Sequence, residues 1–332
     1  MKSTASQPLD RVIGKYGGVA PGPLLLVFGA IHGNEPAGPE AIQMVFRLLQ
    51  NEAKNNPLFH FCGKITGLIG NLQAFSGKKR FLKKDLNRAW SEEKVAEGLA
   101  TDEHLLTEEK REIRQLLDVV RAEIEAEQPT EIVLLDLHTT SAGGGIFIIP
   151  GEDLDSLELA TSLNAPVVQG LLEGISGTVL QFFSKENLIK YGGWRPKIDH
   201  PIAPHLELKS CAFEAGQHDD TDSVSRSVAA VVHCLRAIGS IKMDDLKSVH
   251  EEILQEFSEK LPAVTSLEYV HKIAPDDGFK MRPGFENFQK ITKGEPLADD
   301  KNGVIRALAD GHILMPLYQK QGSDGFFVVK TG

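Results

Sequence analysis

The sequence predicts an α/β protein, with a three-layer domain over residues 1 to about 240 and a small β-rich region at the C-terminal end. Three observations predict it. Short apolar runs that suit buried strands alternate with segments whose apolar residues recur at helical spacing. The first such run passes through a Gly- and Pro-rich turn into a helix, the strand–turn–helix unit of an α/β sheet. After about residue 262 the pattern shortens into brief β-type runs between Gly, Asp and Pro turns. A chain of 332 residues has ample length for two such parts.

Taken in order, Pro23 to Ala30 (PLLLVFGA) ends in small residues and reads as a buried strand. The turn IHGNEPAGPEA leads into a helix over Glu40 to Gln50, with Ile42, Val45, Phe46 and Leu49 on one face. Gly63 to Asn71 reads as a strand, and Thr107 to Glu127 as a helix carrying Ile113, Leu116, Leu117 and Val120. Glu131 to His138 (EIVLLDLH) is the clearest buried strand, with Gly145 to Pro150 next. Leu206 to Glu214 alternates as a strand, and Asp222 to Ile238 places Val224, Val228, Val231, Leu235 and Ile238 on one helical face. A connecting helix over Asp244 to Glu259 closes the first part. The expected division is therefore 1–240, a connector at 241–261, and a β-rich domain at 262–332.

A net charge of -10 and a pI near 5.6 argue against general affinity for nucleic acid or an anionic membrane. The polar stretch Met1 to Tyr16 lacks the apolar run of a signal peptide, and no stretch reaches the length of a membrane span. Cys62, Cys211 and Cys234 stand apart in apolar surroundings, which fits free thiols in a reducing compartment. A cytoplasmic protein is the expectation, with its oligomeric state left open.

Four features carry chemistry. His32 and Glu35, in H-G-N-E, follow a strand and can face one point beyond the sheet edge; imidazole and carboxylate are both zinc ligands. Alone, such a pair is matched by an ordinary surface turn. His138 ends the strongest strand and reaches the same edge, where a core histidine held by a backbone partner is the plain alternative. Asp136 is placed on the opposite strand face, as a support and not a ligand. Glu214 terminates an apolar strand just before Ala215 and Gly216. Beside a metal and its water a glutamate becomes a general base and then a proton donor, while an exposed strand end is the structural alternative. The loop Gly70 to Trp90 crowds Arg80, Asn87 and Arg88 together. Arg88 suits two-pronged pairing with a carboxylate and Arg80 an oxyanion. A solvated basic loop accounts for Lys78, Lys79, Lys83 and Lys84, but less well for Asn87-Arg88 before Ala89-Trp90. Among the other histidines, His60 suits packing between Phe59 and Phe61, whereas His205 and His218 lie nearer the candidate residues in sequence.

Together, H-G-N-E, D-L-N-R, D-L-H and E-A-G, in this order, resemble the succinylglutamate desuccinylase/aspartoacylase family, relatives of the zinc carboxypeptidases. The resemblance extends to the C-terminal run MRPGFENFQKITKGEPLA and DGHILMPLY. It implies a carboxypeptidase-like α/β/α domain on a mixed, mostly parallel sheet, with a C-terminal β domain shaping access. It also implies one zinc ion per chain held by His32, Glu35 and His138, with Glu214 as acid/base and Arg80 on the carbonyl oxygen. Asn87 and Arg88 would hold a carboxylate of a small N-acylated amino acid whose amide bond is hydrolysed. A peptide carboxypeptidase and a non-catalytic ligand-binding protein are the other readings. Two departures concern the substrate alone. The family's arginine before the catalytic glutamate has no counterpart in HPIAPHLELKS, where Lys209 is the one cation, and its C-terminal tyrosine gives way to Asp324, Gly325 and Phe326.

Overall fold

The computed structural model describes residues 9–195, 206–247 and 250–331. In chain order the first part holds β1 (Val12–Gly17), β2 (Ala20–Gly29), α1 (Ala37–Asn55), β3 (Cys62–Ile69), α2 (Leu72–Ser76), α3 (Glu92–Ala100) and α4 (Glu108–Glu127). Next come β4 (Glu131–Thr140), β5 (Phe147–Pro150), α5 (Leu154–Ser162), β6 (Val167–Gln169), α6 (Val179–Phe182), α7 (Lys185–Lys190), β7 (Glu207–Gln217) and α8 (Asp222–Ala237). The last part has α9 (His250–Ser258), β8 (Val264–Lys272), β9 (Lys280–Met281), β10 (Gln289–Ile291), β11 (Pro296–Asp300), β12 (Gly303–Arg306), β13 (Gly311–Leu314) and β14 (Asp324–Thr331).

The runs read as buried strands form the middle of the sheet. There β3, β2, β4 and β7 pair in parallel, so their apolar residues are covered on both faces. Alternation along each strand decides which layer a residue joins. Leu24, Leu26, Phe28, Ile132 and Leu134 pack on Ile113, Leu116, Leu117 and Val120 of α4. Leu25, Val27, Val133 and Leu135 face Ile42, Val45 and Leu49 of α1 and Val228, Val231 and Leu235 of α8. Full burial of each such side chain is worth about 1.5–3 kcal/mol, so this triple layer supplies most of the fold's driving force. Helix α4 starts where its sequence cap lies, with the Thr107 side chain accepting from Lys110 N, and stops at Gln128 in the left-handed region.

Two elements depart from expectation. The polar N-terminal stretch contributes β1, an edge strand antiparallel to β3, anchored by buried Arg11. The Arg11 side chain donates to Ile69 O, Gly70 O and Glu112. The connecting helix begins later than its periodicity predicts, since Met243–Leu246 form a turn and α9 opens at His250.

Among the described residues, eleven strands form one sheet in the order β1-β3-β2-β4-β7-β5-β6-β8-β14-β13-β10, and β12-β11-β9 form a second. The compositional change near residue 262 is thus crossed by the sheet, because β8 pairs in parallel with β6 and carries β14 beside it. Strand β5 runs antiparallel to β7, making the sheet mixed. The carboxyl ends of β2, β4 and β7 meet at one edge: Gly29 stands opposite Leu137, and His138 opposite Glu214. Open α/β sheets place their ligands at such an edge.

Candidate active site

Strand β2 stops at Gly29 and the chain turns through Ala30, whose φ of 54 lies in the left-handed region. The turn then lies hard against α2 and the loop that follows it. A Cβ on Gly33 would sit 2.2 Å from the backbone carbon of Ala74, and Gly33 N donates to Arg80 O. This contact fixes His32 and Glu35 on the inner side of the turn. Both are buried, as is His138 at the end of β4.

The three side chains converge. His32 Nδ1 lies 2.9 Å from Glu35 Oε1, and His138 Nδ1 lies 3.0 Å from Glu35 Oε2. One potential ligand atom from each residue falls within 4.8 Å of the others. The outer nitrogens are also held: His32 Nε2 donates to Asp85 Oδ1 at 3.2 Å and His138 Nε2 to Asp136 Oδ2 at 2.7 Å. A carboxylate on the far nitrogen fixes the tautomer that leaves Nδ1 as a donor to a metal, and two imidazoles plus one carboxylate suit zinc. The residues present therefore fit a metal ion.

The electrostatics agree with a site built for positive charge. Burial pushes the Glu35 carboxyl up, but His32 and His138 outweigh it and hold the group well below the usual carboxylate range. Burial lowers the His138 imidazole, yet Asp136 and Glu35 together raise it well above its ordinary value. Asp85 is likewise lowered, against its burial, by His32 and Arg80.

Asp136 corrects one expectation. Residues two apart share a strand face, so Asp136 lies on the same side as His138 and not on the opposite one. Its supporting place stands. The sequence assigns no role to Asp85, although it belongs to D-L-N-R. It accepts from Asn87 N, caps the short turn Leu86–Arg88, and binds both His32 and Arg80. An acidic residue capping a helical turn is a common local signal, so its contact across 53 residues is what the sequence conceals.

Arg80 reaches 3.5 Å from Glu35 Oε1 and 3.2 Å from Asp85 Oδ2. Glu214, opposite His138, has a buried Oε2 with no hydrogen-bond partner among the described residues. Burial pushes its carboxyl up to about 7; His138 pulls against that, and Glu35 adds to it. Asn87 accepts from Val179 N, and Arg88 donates to Asn87 O and to Asp324 Oδ2. All of the predicted site residues line one cleft with about 810 Å³ between its walls, open solvent included. That is a space suited to a small molecule.

Lys209 lies elsewhere. It pairs with Glu131 at 2.7 Å, five residues up β7 from Glu214, roughly 16 Å at strand rise. His218 is partly buried, its Nδ1 hydrogen-bonded to Thr139 Oγ1. His60 is exposed instead of packed, and His205 lies outside the described residues.

Residues 21–190, just over half of the chain, match the model of the succinylglutamate desuccinylase/aspartoacylase catalytic domain. The chain belongs to the succinylglutamate desuccinylase/aspartoacylase family. The matched span holds His32, Glu35, Arg80, Asn87, Arg88 and His138, and ends before Glu214. A probable aspartoacylase of Nostoc sp. is 30% identical over 125 residues, and the chain spans 38% of that relative's length, using 38% of its own. Murine aminoacylase 3 superposes with a TM-score of 0.58 at 17% identity, covering 93% of this chain and 95% of that one. A family protein of Shewanella amazonensis gives 0.59 at 14% identity, covering 95% and 92%. The product-bound ectoine utilization protein of Ruegeria pomeroyi gives 0.58 at 17%, covering 96% and 88%. At these identities the likeness establishes the α/β fold and its β-rich C-terminal extension. Among the described residues, no helix is long and apolar enough to cross a membrane.

Proposed function

We propose that this member of the family is a zinc-dependent hydrolase that cleaves the amide bond of a small N-acylated amino acid. The observation that carries the reading is the convergence of His32, Glu35 and His138 beside the unpartnered oxygen of Glu214. His32 and His138 through Nδ1, and Glu35 through its carboxylate, would hold one zinc ion. When bound, zinc supplies Lewis acidity, polarising an acyl carbonyl and acidifying water.

The chain's own residues do the rest. Asp85 and Asp136 orient the two imidazoles through their Nε2 atoms. Glu214 accepts a proton from water at its free oxygen and returns it to the departing amide nitrogen, a cycle favoured by a pKa near the working pH. Arg80 places a fixed positive charge beside the group that becomes an oxyanion. Asn87 and Arg88 also line the cleft and would bind a substrate carboxylate. The free cysteines Cys62, Cys211 and Cys234 accord with a cytoplasmic setting.

The test combines metal analysis with turnover of N-acylamino acids and of peptides. The purified protein is expected to carry one zinc per chain and to hydrolyse acylamino acids but not peptides. Glu214→Gln is expected to keep the metal and lose on the order of 100-fold or more in kcat, the range removed with a general base. His32→Ala is expected to lose the metal. Full activity in the first variant, or full zinc occupancy in the second, would overturn the assignment.

A further inference from the structure

Every arginine lining the cleft already faces a protein carboxylate. Arg80 is engaged by Asp85 and Glu35. Arg88 is engaged on both terminal nitrogens: Nη2 donates to Asp324 Oδ2 at 2.5 Å, and Nη1 to Asn87 O at 2.7 Å. Asp324 is well placed to stay there. It opens β14, its side chain is buried, and its other oxygen accepts from Lys272 Nζ at 2.6 Å. Although burial raises the carboxyl, Arg88 and Lys272 bring it below the usual range, so it is ionised at neutral pH.

A guanidinium recognises a carboxylate best through two parallel N–H bonds. Arg88 keeps an unpartnered Nε and a second N–H on each terminal nitrogen, but an incoming carboxylate must share the guanidinium with the charge of Asp324 or displace it. Among the described residues lining the cleft, no further lysine or arginine awaits a second carboxylate. Ile149, Leu171, Leu172, Ile175, Leu180 and Phe327 give the cleft's lining an apolar part. Burying an ionised group among such side chains without a partner is costly, whereas an apolar group gains from them.

We infer that Asp324 is a specificity-determining residue, a built-in competitor for the substrate's carboxylate on Arg88. With Arg80 and Arg88 both compensated by protein carboxylates, the apolar lining then favours N-acylamino acids that carry one carboxylate and an otherwise apolar remainder. The inference rests on the deacylase reading above and names the substrate class for it.

The experiment compares N-acetyl-leucine, N-acetyl-aspartate and the uncharged N-acetyl-leucinamide on the zinc-loaded protein. The wild type is expected to favour N-acetyl-leucine over N-acetyl-aspartate by about tenfold or more in kcat/KM. Asp324→Asn is expected to lower KM for N-acetyl-leucine by about tenfold, the worth of one charge-assisted hydrogen bond, and to leave N-acetyl-leucinamide unmoved. If Asp324 merely held Arg88 in position, the same change would raise KM, so the sign separates the two roles. Lys272→Met alters a half-exposed side chain and so spares the fold; by leaving Asp324 wholly to Arg88, it is expected to raise KM for N-acetyl-leucine. An unchanged or raised KM in Asp324→Asn, or a wild type that favours N-acetyl-aspartate, overturns the inference.

Calorimetric titration of N-acetyl-leucine into both proteins keeps the two readings apart. Should no acylamino acid be hydrolysed, the deacylase reading fails, while tighter binding to Asp324→Asn would still support the competitor role. Equal, weaker or absent binding would sink it without reference to turnover.

Discussion

Glu214 illustrates how one side chain ties burial to chemistry. Burial pushes its carboxyl up to about 7 from 4.5, so the folded protein holds that proton longer than the unfolded chain does. The sign follows: stability of the metal-free protein is fully present below the unfolded value and is lost as pH rises through the folded one. Glu214→Gln removes this penalty. The metal-free variant is expected to melt above the wild type at about pH 8, by roughly 3 kcal/mol of stability, and to match it near pH 4. Equal melting at both values would show that the buried carboxylate finds relief elsewhere. In the proposed mechanism the ionised form is the base, so kcat/KM is expected to climb with pH through the pKa of Glu214, which zinc's charge would draw below 7. A profile flat on its acid side would exclude that role. Asp85→Asn and Asp136→Asn are each expected to weaken zinc binding about 10–100-fold, read by competition with a chelator. How far these residues were legible varies with the range of their contacts. The residues of H-G-N-E, D-L-H and E-A-G follow or end strands whose apolar runs are plain, so one edge collects them. Asp324 meets Arg88 across 236 residues, a contact that nothing local in either segment signals.

Elements show the same division between local and distant causes. The long helices were legible because a buried stripe at helical spacing runs through α1, α4 and α8. Short ones such as α2 and α6 were not, since four or five residues hold too little periodicity; their ends are fixed by side-chain caps such as Asn71 and Thr178. Strand β1 is hidden in the sequence for another reason. An edge strand buries one face at most, so its sequence stays polar, and a single inward arginine anchors it. Glu112 serves that arginine and the first turn of α2 together, accepting from Leu72 N and Gln73 N as well. Arg11→Ala is expected to cost about 3–5 kcal/mol, because it leaves a buried carboxylate short of its countercharge. Arg11→Lys is expected to recover part of this at best, since one ammonium cannot reproduce the fork that serves two carbonyls and a carboxylate. Denaturant titration of both variants measures the difference. A loss below about 1 kcal/mol for Arg11→Ala would mean that water reaches Glu112 and replaces the arginine.

At the scale of the molecule, sequence showed that the C-terminal part is β-rich, but not that its strands join the central sheet. Strand periodicity records which face is buried and says nothing about which edge a strand will pair with. Here β8 takes the edge that β6 would otherwise expose. Ending the chain after α9 is therefore expected to do more than remove an appendage: it bares a strand edge and strips Phe327 and Val329 from the main core. Such a truncated protein is expected to aggregate, as light scattering during purification would show; a monodisperse, stable fragment would contradict this. The continuous sheet also bears on how such a protein changes over time. The candidate metal residues lie between positions 32 and 138, while Asp324 and Phe327 reach the same cleft from the far end of the chain. On the inference drawn for Asp324, substitutions near the C-terminus are expected to retune which molecule is accepted without disturbing the candidate metal residues. Grafting residues 264–331 of a relative onto this scaffold is thus expected to transfer that relative's preference while zinc affinity stays put, making chemistry and taste separately heritable.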